Sequence, residues 1–368
     1  DFPFSLSLIF HTSFVLATLL LRFKSILIRS LSLVKMVIGK ILGLILLMEM
    51  IVHGFRFEVV DGFRFDVVNG FRFGVVDGLS MEYYLLRCPL AELIVKIKVI
   101  KALQADPTLA ASLVRLHFHD CFIEGCDGSV LLNSTKQNKA ERDSPANLSL
   151  RGFELIDEIK EELEKQCPGI VSCADILAMA ARDAVCKAGG PLYDIPKGRM
   201  DGTRSKIEDT INLPAPTFNA SQLINLFGQH GFSAQEMVAL SGAHTLGVAR
   251  CSSFKNRLVG GLDANLNADF AKTLFTTCSA SDTAEQPFDE TRNTFDNLYY
   301  RALQCKSGVL DSDQTLYASA ETKGIVDSYA SNKVMFFSDF KRAMVKMSML
   351  NVKQGSQGEV RQNCYKIN

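Results

Sequence analysis

The sequence has no excess of charge of either sign and no long basic run. Its 368 residues include 40 Lys plus Arg and 40 Asp plus Glu, so the formal net charge is zero. Nucleic-acid-binding domains usually carry a basic patch or stripe, whereas here no run of Lys and Arg exceeds two residues. These absences exclude DNA or RNA as an expected partner. A hydrophobic content of 47% is sufficient for a large core, which excludes general disorder.

The chain also lacks an initiating methionine, since it begins at Asp1. Met36 precedes an apolar run at residues 41–52, an arrangement typical of a secretory signal. We therefore interpret residues 1–35 as an upstream extension that is not part of the natural product. Residues 6–21 are nearly uncharged, so a membrane anchor is the alternative for that segment.

An eight-residue unit is repeated three times at residues 54–77, as GFRFEVVD, GFRFDVVN and GFRFGVVD. This unit is shorter than the 20 to 50 residues of most repeat folds, so we interpret it as an in-frame duplication near the signal cleavage site. Residues 36–78 are thus predicted to be a signal-peptide region. The mature domain is predicted to comprise residues 79–368.

Strand signals are scarce in residues 79–368, and no low-complexity linker divides them. Asp106 followed by Pro107 predicts the start of a helix, because a side-chain cap precedes a residue with a preset φ angle. Residues 151–166 and the run ADILAMAARDAV after Cys173 predict two amphipathic helices. Ser233 and Glu236 form a capping box before SAQEMVALSGAHTLG. The pattern predicts a mainly α domain, large enough for two lobes with a cleft between them.

The stretch RLHFHDC at residues 115–121 is too polar for an ordinary core helix. On the predicted helix Arg115 and His119 are four residues apart and share a face, whereas His117 points about 200° away from His119. His244 follows the small residues 241–243 on a second predicted helix, where they would let a flat group approach. Two histidines on separate helices suit a prosthetic group held between them.

A metallohydrolase site is the alternative interpretation of the same stretch. It would use His117, His119 and Asp120 as metal ligands, and it requires both imidazoles on one side of the chain. A strand would place them together, but the helix predicted here separates them.

Several long motifs resemble those of the class III, or secretory, plant haem peroxidases. They are RLHFHDCFIEGCDGSVLL, CPGIVSCADILAMAARDAV, NLPAP, SGAHTLGVARC, TFDNLYY and SDQTLY, and the resemblance covers residues 79–368. It implies a two-lobed helical fold with haem b between a distal and a proximal helix. It also implies reduction of hydrogen peroxide to water with one-electron oxidation of small phenolic donors.

The resemblance assigns roles to individual pocket residues. His244 would be the axial ligand of the haem iron, with Asp313 as the partner of its other ring nitrogen. His119 would move the proton of peroxide, and Arg115 would stabilise charge on the departing oxygen. Asn147 would orient His119, and Glu141 would support that orientation. Phe118 would form the distal wall of the pocket, and Pro214 would line the donor channel.

Two calcium sites are also implied by the resemblance, and oxygen-rich loops are what Ca²⁺ prefers. The distal site would use Asp120, Ile123, Gly125, Asp127 and Ser129. The proximal site would use Thr245, Asp289, Thr291, Thr294 and Asp296. Here the chain departs from the usual Asp-x-x-Thr-Pro spacing of the family, because Thr291 follows Asp289 one residue sooner and no proline comes after it.

Ten cysteines and a hydrophobic leader predict several disulfides, although the residues alone leave the pairing open. The resemblance implies four bridges, which are Cys88–Cys167, Cys121–Cys126, Cys173–Cys364 and Cys251–Cys278. Cys186 and Cys305 have no family counterpart and are expected to stay free. Tyr193 stands where relatives often have tryptophan, and the chain contains no tryptophan at all.

The resemblance further implies a monomer secreted to the extracellular space or cell wall, with no membrane as a partner of its mature form. Asn133, Asn147 and Asn219 lie in glycosylation sequons. We expect glycans at Asn133 and Asn219, because the family uses the position of Asn147 inside the pocket. A catalytically silent wall-associated relative is the alternative function, although every implied catalytic residue is present.

Overall fold

Helices make up most of the domain in the computed structural model, which describes residues 75–76, 78–259 and 263–368. The α-helices of these residues are α1 Ala91–Ala105, α2 Leu109–Ile123, α3 Phe153–Gln166, α4 Cys173–Lys187, α5 Ala220–Gln229, α6 Ala234–Ser241, α7 Ala268–Cys278, α8 Leu298–Gln304, α9 Asp311–Ala318, α10 Ala320–Ser331 and α11 Lys333–Met347. The strands are β1 Val75–Val76, β2 Leu79–Ser80, β3 Val248–Arg250 and β4 Glu285–Pro287. β1 pairs antiparallel with β2, and β3 pairs antiparallel with β4. The prediction of a mainly α fold is confirmed.

Most of the predicted leader lies outside the described residues. The upstream extension at residues 1–35 and nearly all of the signal region at residues 36–78 therefore stay predictions, as does the boundary near Leu79. Residues 73–368 form one compact unit. Within the described ranges, no helix combines the length and the apolar character needed to cross a membrane.

The helix that carries the polar stretch begins at Leu109, two residues later than predicted, although Asp106 bonds to the turn before it. Asp106 Oδ1 accepts a hydrogen bond from Thr108 N at 3.0 Å, and Asp106 O accepts from Leu109 N at 3.2 Å. These bonds satisfy amide groups that have no partner within the first helical turn. The cap at Asp106 and Pro107 therefore starts the turn that continues into α2.

Helix α3 shows the apolar stripe that was predicted for residues 151–166. Phe153, Ile156, Ile159 and Leu163 are buried on one face. Lys160 lies on the same stripe, and its buried Nζ donates to Val171 O at 2.6 Å. The amphipathic interpretation of this helix is confirmed.

For helix α4 the amphipathic interpretation was wrong. Every residue from Cys173 to Val185 is buried, so α4 is covered on all sides. Helices α1, α2 and α3 pack around it. The polar residues that indicated a solvent face are satisfied internally, because Arg182 pairs with Asp183 at 2.9 Å and with Glu92 at 2.7 Å.

The capping box that opens the second histidine element is confirmed. Ser233 Oγ accepts from Glu236 N at 3.2 Å, and Glu236 Oε2 accepts from Ser233 N at 2.8 Å. The α-helix is shorter than predicted, because α6 ends at Ser241 and His244 lies on the 3₁₀ turn Gly242–Thr245.

The small residue Gly242 serves the packing of the core. A Cβ at this position would lie 2.2 Å from Tyr300 Oη and 2.6 Å from a ring carbon of Phe336. The expectation that all three small residues before His244 make room for a flat ligand is therefore wrong for Gly242. Its missing side chain makes room for α8 and α11 instead.

The two histidine-bearing elements lie next to each other. A Cβ at Gly247 would be 2.7 Å from Ala111 Cβ, so the chain just after His244 packs directly against α2. One buried apolar cluster includes residues of α1–α4 as well as of α5, α6 and α8–α11. A smaller cluster surrounds α7 and the β3–β4 pair.

All four expected disulfides are present, and they join Cys88 to Cys167, Cys121 to Cys126, Cys173 to Cys364 and Cys251 to Cys278. Cys186 is half-buried and Cys305 is exposed, and neither is bridged within the described part of the chain. The prediction that these two thiols stay free is confirmed.

Candidate active site

The polar face of α2 forms a chain of hydrogen bonds. Arg115 Nε donates to His119 Nε2 at 3.2 Å, as the spacing of four residues along the helix predicts. The other two guanidinium nitrogens donate at 2.8 Å each, to Ser149 Oγ and Ala146 O. Arg115 is thus held by the loop before α3 and directed at the imidazole.

Asn147 determines the tautomer of His119. Its Nδ2 donates to Glu141 O at 2.9 Å, so its Oδ1 is the atom that faces the ring. That Oδ1 lies 2.6 Å from His119 Nδ1, which must therefore be the donor. Nε2 of His119 consequently carries a lone pair, and this nitrogen can accept a proton.

The electrostatics keep His119 neutral and Arg115 charged. Burial, with the neighbouring Arg115 charge as a second cause, lowers the pKa of His119 to about 3. Burial also lowers the pKa of Arg115, to about 10, and the nearby Arg250 adds to this effect. Near neutral pH the pair therefore consists of a proton acceptor beside a fixed positive charge.

Glu141 holds Asn147, as the resemblance implied, and it does so through its backbone. Its backbone carbonyl, not its carboxylate, holds Asn147. The carboxylate points towards the loop after α2, where Glu141 Oε2 accepts from Ser129 Oγ at 3.1 Å. Burial and the neighbouring Asp120 raise the pKa of Glu141 to about 9. The side chain thus belongs to the acidic cluster of the expected distal calcium site.

His117 lies away from this face, as its position on the helix predicts. It is buried, and its Nδ1 lies 3.5 Å from Cys121 Sγ. Among the described residues, His117, Cys121 and Cys126 are the one group of three His, Cys, Asp or Glu side chains whose ligand atoms all lie within 4.8 Å of one another, and both cysteines are in a disulfide. The metallohydrolase alternative is therefore wrong, because His117 does not converge with His119 and Asp120.

The second histidine is positioned by a carboxylate. His244 Nδ1 lies 2.7 Å from Asp313 Oδ1, near the start of α9. Tyr299 Oη donates to the same oxygen at 2.9 Å, and Leu310 N donates to Asp313 Oδ2 at 3.2 Å. The ring of Phe288 stacks on the imidazole with centroids 4.3 Å apart. Sequence reasoning predicted Asp313 but missed Tyr299 and Phe288, although Tyr299 lies in the quoted TFDNLYY motif.

The residues fit a haem at this position. His244 Nε2 has no hydrogen-bond partner among the described residues, and 37% of the side chain is exposed although its partner Asp313 is buried. An imidazole with one nitrogen held by a carboxylate and the other free is the arrangement expected of a metal ligand. Haem iron commonly takes such a histidine as its proximal ligand.

The expected distal calcium residues form a buried acidic cluster. Asp120, Asp127 and Ser129 are almost fully buried, and Asp120 Oδ2 accepts from Gly128 N at 3.0 Å. Burial and the neighbouring Asp127 raise the pKa of Asp120 well above its usual range. Glu141 Oε1 lacks a hydrogen-bond partner within the described residues. Several buried carboxylates with an unpartnered oxygen are the kind of site that a divalent cation would stabilise.

The loop of this cluster depends on a tight backbone path. Gly125 has a φ of 118°, and a Cβ there would lie 2.6 Å from Asn351 Cβ. Ile123 is buried at the end of α2, where its carbonyl and that of Gly125 would complete the ligand set. Lys353 Nζ lies 2.9 Å from Asp127 Oδ2, a contact that sequence reasoning missed, since 226 positions separate the two residues in the chain.

The proximal calcium residues converge despite the shortened spacing. Thr245 Oγ1 donates to Asp289 Oδ2 at 2.6 Å and lies 3.2 Å from Asp296 Oδ1. Thr291 Oγ1 contacts the same two carboxylates at 3.1 Å and 3.0 Å. Burial raises the pKa of Asp289, and the charge of Asp296 adds to this. Thr294 lies in the same turn, where its N donates to Thr291 O at 2.7 Å.

Phe118 and Pro214 are the remaining predicted pocket residues. Phe118 is half-buried, and its ring centroid is 4.4 Å from that of Phe122. Pro214 is half-buried and follows the 3₁₀ helix Ile207–Asn212. Ser144 Oγ and Thr210 Oγ1 are 2.8 Å apart, which ties that helix to the loop of Asn147.

Comparison with known proteins gives matches over most of the chain. Residues 95–332 match the family model described as peroxidase. Peroxidase 47 of Arabidopsis thaliana is 64% identical over 334 residues, which cover 91% of this chain and 97% of the relative. Peroxidase 64 of Arabidopsis thaliana is 50% identical over 297 residues, covering 78% and 93%. Peroxidase 66 of Zea mays is 45% identical over 294 residues, covering 79% and 90%.

Proposed function

Because the chain belongs to the peroxidase family, as a class III plant haem peroxidase, we propose that it is a secreted enzyme that reduces hydrogen peroxide with electrons from small phenols. The observation that carries the proposal is the chain of hydrogen bonds from Arg115 through His119 to Asn147. It leaves one nitrogen of a neutral imidazole ready to accept a proton beside a fixed positive charge.

We propose haem b as the cofactor, with His244 Nε2 as its axial ligand. Bound haem supplies the iron that binds peroxide and the oxidising equivalents that donors later consume. Asp313 accepts a hydrogen bond from His244 Nδ1 and so raises the basicity of the ligand nitrogen, Nε2. Tyr299 and Leu310 N hold Asp313 in place through both of its carboxylate oxygens.

Proton transfer is the part of the reaction that this chain performs itself. His119 Nε2 accepts the proton of peroxide, while Asn147 keeps the other ring proton on Nδ1. The same nitrogen then returns the proton to the oxygen that leaves as water, a general base becoming a general acid worth about 10² to 10⁴ in rate. Arg115 stabilises the negative charge that develops on that oxygen.

The donor is proposed to be a small phenol that approaches along Pro214. This residue is half-buried and lies close in sequence to the exposed Ile211 and to the Thr210–Ser144 contact. An apolar entrance to the polar pocket would suit an aromatic ring with one hydroxyl group.

Two Ca²⁺ ions are proposed to hold the loops on either side. The distal ion would bind Asp120, Asp127 and Ser129 with the carbonyls of Ile123 and Gly125. The proximal ion would bind Thr245, Asp289, Thr291 and Asp296, with the Thr294 carbonyl as a further ligand. Each ion would neutralise buried carboxylates that repel one another.

We also propose that the mature protein is a glycosylated monomer of the extracellular space or cell wall. Asn133 and Asn219 are exposed, and the hydrogen bonds of both use Oδ1 and leave the amide nitrogen free for a glycan. Asn147 is buried with both of its amide atoms engaged, which supports its role in the pocket over glycosylation.

The test compares His119→Leu with His230→Leu in haem-reconstituted protein. His230 is a half-buried histidine in the turn after α5. Both variants should keep the Soret band. His119→Leu should slow the peroxide-dependent absorbance change at least about 10³-fold, because the proton acceptor is gone, whereas His230→Leu should react normally. A normal rate in His119→Leu contradicts the acid–base role of His119. A haem-bound wild type that does not react with peroxide favours the alternative of a catalytically silent relative.

A further inference from the structure

An apolar ridge runs along the solvent side of α1 and the turn before it. It consists of Leu85, Leu86, Leu90, Leu93 and Ile97, and we refer to it as the α1 ridge. These side chains are between 51% and 92% exposed, with Leu86 the most exposed. Large apolar side chains are common singly on protein surfaces, but a contiguous group of them marks an interaction site.

The α1 ridge is additional to what the core requires. The opposite face of α1 buries Ala91, Val95 and Val99, and helix α4 packs against it. Leu90, Leu93 and Ile97 follow one another at intervals of three and four residues, so they form a second apolar stripe. A helix that is apolar on two faces is normally covered on both, and no described residue covers the second face of α1.

Cations lie on the same segment as the α1 ridge, although the whole chain has no net charge. Arg87, Lys96 and Lys101 are exposed beside it, and Lys98 is half-buried. Glu92 is the sole carboxylate of residues 85–105, and it is engaged by Arg182 at 2.7 Å and Lys197 at 2.8 Å. The free exposed charges of α1 are therefore positive, while the neighbouring helix α3 exposes Glu154, Glu158 and Glu161.

We propose that the α1 ridge binds the surface of an anionic lipid bilayer, with its leucines entering the boundary between headgroups and acyl chains. A helix of this kind lies in the interface, where apolar side chains insert and flanking Lys and Arg contact anionic headgroups. Lysine side chains can extend along apolar surface while their charge stays at the headgroups.

The charges and the shape favour a bilayer over the other occupants. A second copy of the chain would bring Lys96 and Lys101 of both copies together, and like charges at an interface oppose association. The outer face of a single helix is convex, so a protein partner would need a matching groove, whereas fluid lipid adapts to the ridge. The inference is independent of the peroxidase reaction, since no residue of the α1 ridge belongs to the pocket.

The test measures binding of the full, haem-loaded protein to vesicles by co-sedimentation. Wild type should bind vesicles of phosphatidylcholine with phosphatidylserine, and should bind pure phosphatidylcholine vesicles much less. The double variant Leu86→Asn with Ile97→Asn should lose at least about tenfold in partition coefficient. A matched control, Phe275→Asn with Val334→Asn, removes two apolar side chains that are 66% and 79% exposed elsewhere. This control should bind as wild type does, and peroxidase activity should be equal in all three proteins.

The role of charge is tested with Lys96→Gln combined with Lys101→Gln, which should weaken binding and reduce its dependence on salt. Wild-type protein that does not bind phosphatidylserine vesicles overturns the proposal. Equal losses in the ridge and control variants overturn it too. A wild type that sediments as a dimer without binding vesicles, and a ridge variant that is monomeric, would assign the surface to a second copy instead.

Discussion

Replacing Arg115 with glutamine should move the acid limb of the peroxide reaction to higher pH. His119 must be neutral to accept a proton, and its pKa of about 3 places the loss of rate at about that pH. Because the folded-state pKa is lowered, the competent form dominates above this value and disappears as the pH falls through it. The neighbouring Arg115 charge is one of the two causes of the low pKa.

The size of the shift follows from the geometry. Arg115 Nε lies 3.2 Å from His119 Nε2. Two charges about 4 Å apart interact by about 4 kcal/mol at an effective dielectric of about 20, which equals about 3 pKa units. Burial is the larger cause of the low His119 pKa and persists in the variant, and solvent partly screens the guanidinium of Arg115, which is not fully buried. We therefore expect the midpoint to rise by about one to two pH units.

The assay is stopped-flow absorbance of haem-loaded protein, with pH jumps so that exposure to acid is brief. Arg115→Lys is the matched control, since it keeps the charge and should keep the low midpoint. The absolute rate should fall in Arg115→Gln as well, because the charge also stabilises the departing oxygen. The midpoint is nevertheless the decisive quantity. An acid limb at the same pH in wild type and Arg115→Gln would refute the electrostatic reasoning.

Three further predictions concern the proximal histidine, the calcium sites and the disulfides. Asp313→Asn should retain haem but raise the midpoint potential of the iron in a spectroelectrochemical titration, because His244 Nδ1 loses a carboxylate partner at 2.7 Å. An unchanged potential would argue against the role of the His244–Asp313 hydrogen bond. Chelation of calcium with EGTA should lower the Tm by several degrees in calorimetry, since each kcal/mol of lost stability lowers the Tm of a large domain by about 2–4 °C. The decrease should be smaller in Asp127→Asn. A Tm that EGTA does not change would argue against bound calcium. Removing the disulfide Cys173–Cys364, which closes a loop of 191 residues, should lower the free energy of unfolding in urea by about 5 kcal/mol. Removing Cys121–Cys126, whose cysteines are five residues apart, should lower it by about 2 kcal/mol, because a shorter loop restricts the unfolded chain less. Similar losses in the two variants would show that loop length is not the controlling factor.

Part of the pocket could be predicted because it lies within one helix. Once Asp106 and Pro107 indicated where the helix starts, the spacing of four residues placed Arg115 beside His119 and turned His117 away. The bond between Arg115 Nε and His119 Nε2 is the direct result. The resemblance to secretory peroxidases added the disulfide pairs, which spacing alone could not determine.

Other features could not be predicted, because they depend on segments that are distant in the chain. Helix α4 has polar residues that indicate a solvent face, yet three helices cover it and Glu92 from α1 pairs with its Arg182. The resemblance named Glu141 as the support of Asn147, but no side-chain pattern indicates that the supporting atom is its backbone carbonyl. The resemblance named the proximal threonines and aspartates, but their altered spacing left open whether they converge, and the packed structure brings them together.

The sequence by itself determined the helical class, the start of α2, and the relation between residues one turn apart, because these follow from local propensity and from the period of a single helix. The tertiary structure alone decided the tautomer of His119, the unpartnered carboxylate oxygen of Glu141 and the uncovered apolar face of α1. Each of these depends on which atoms from elsewhere in the chain fill the space around a residue, and that information appears only when the helices have packed.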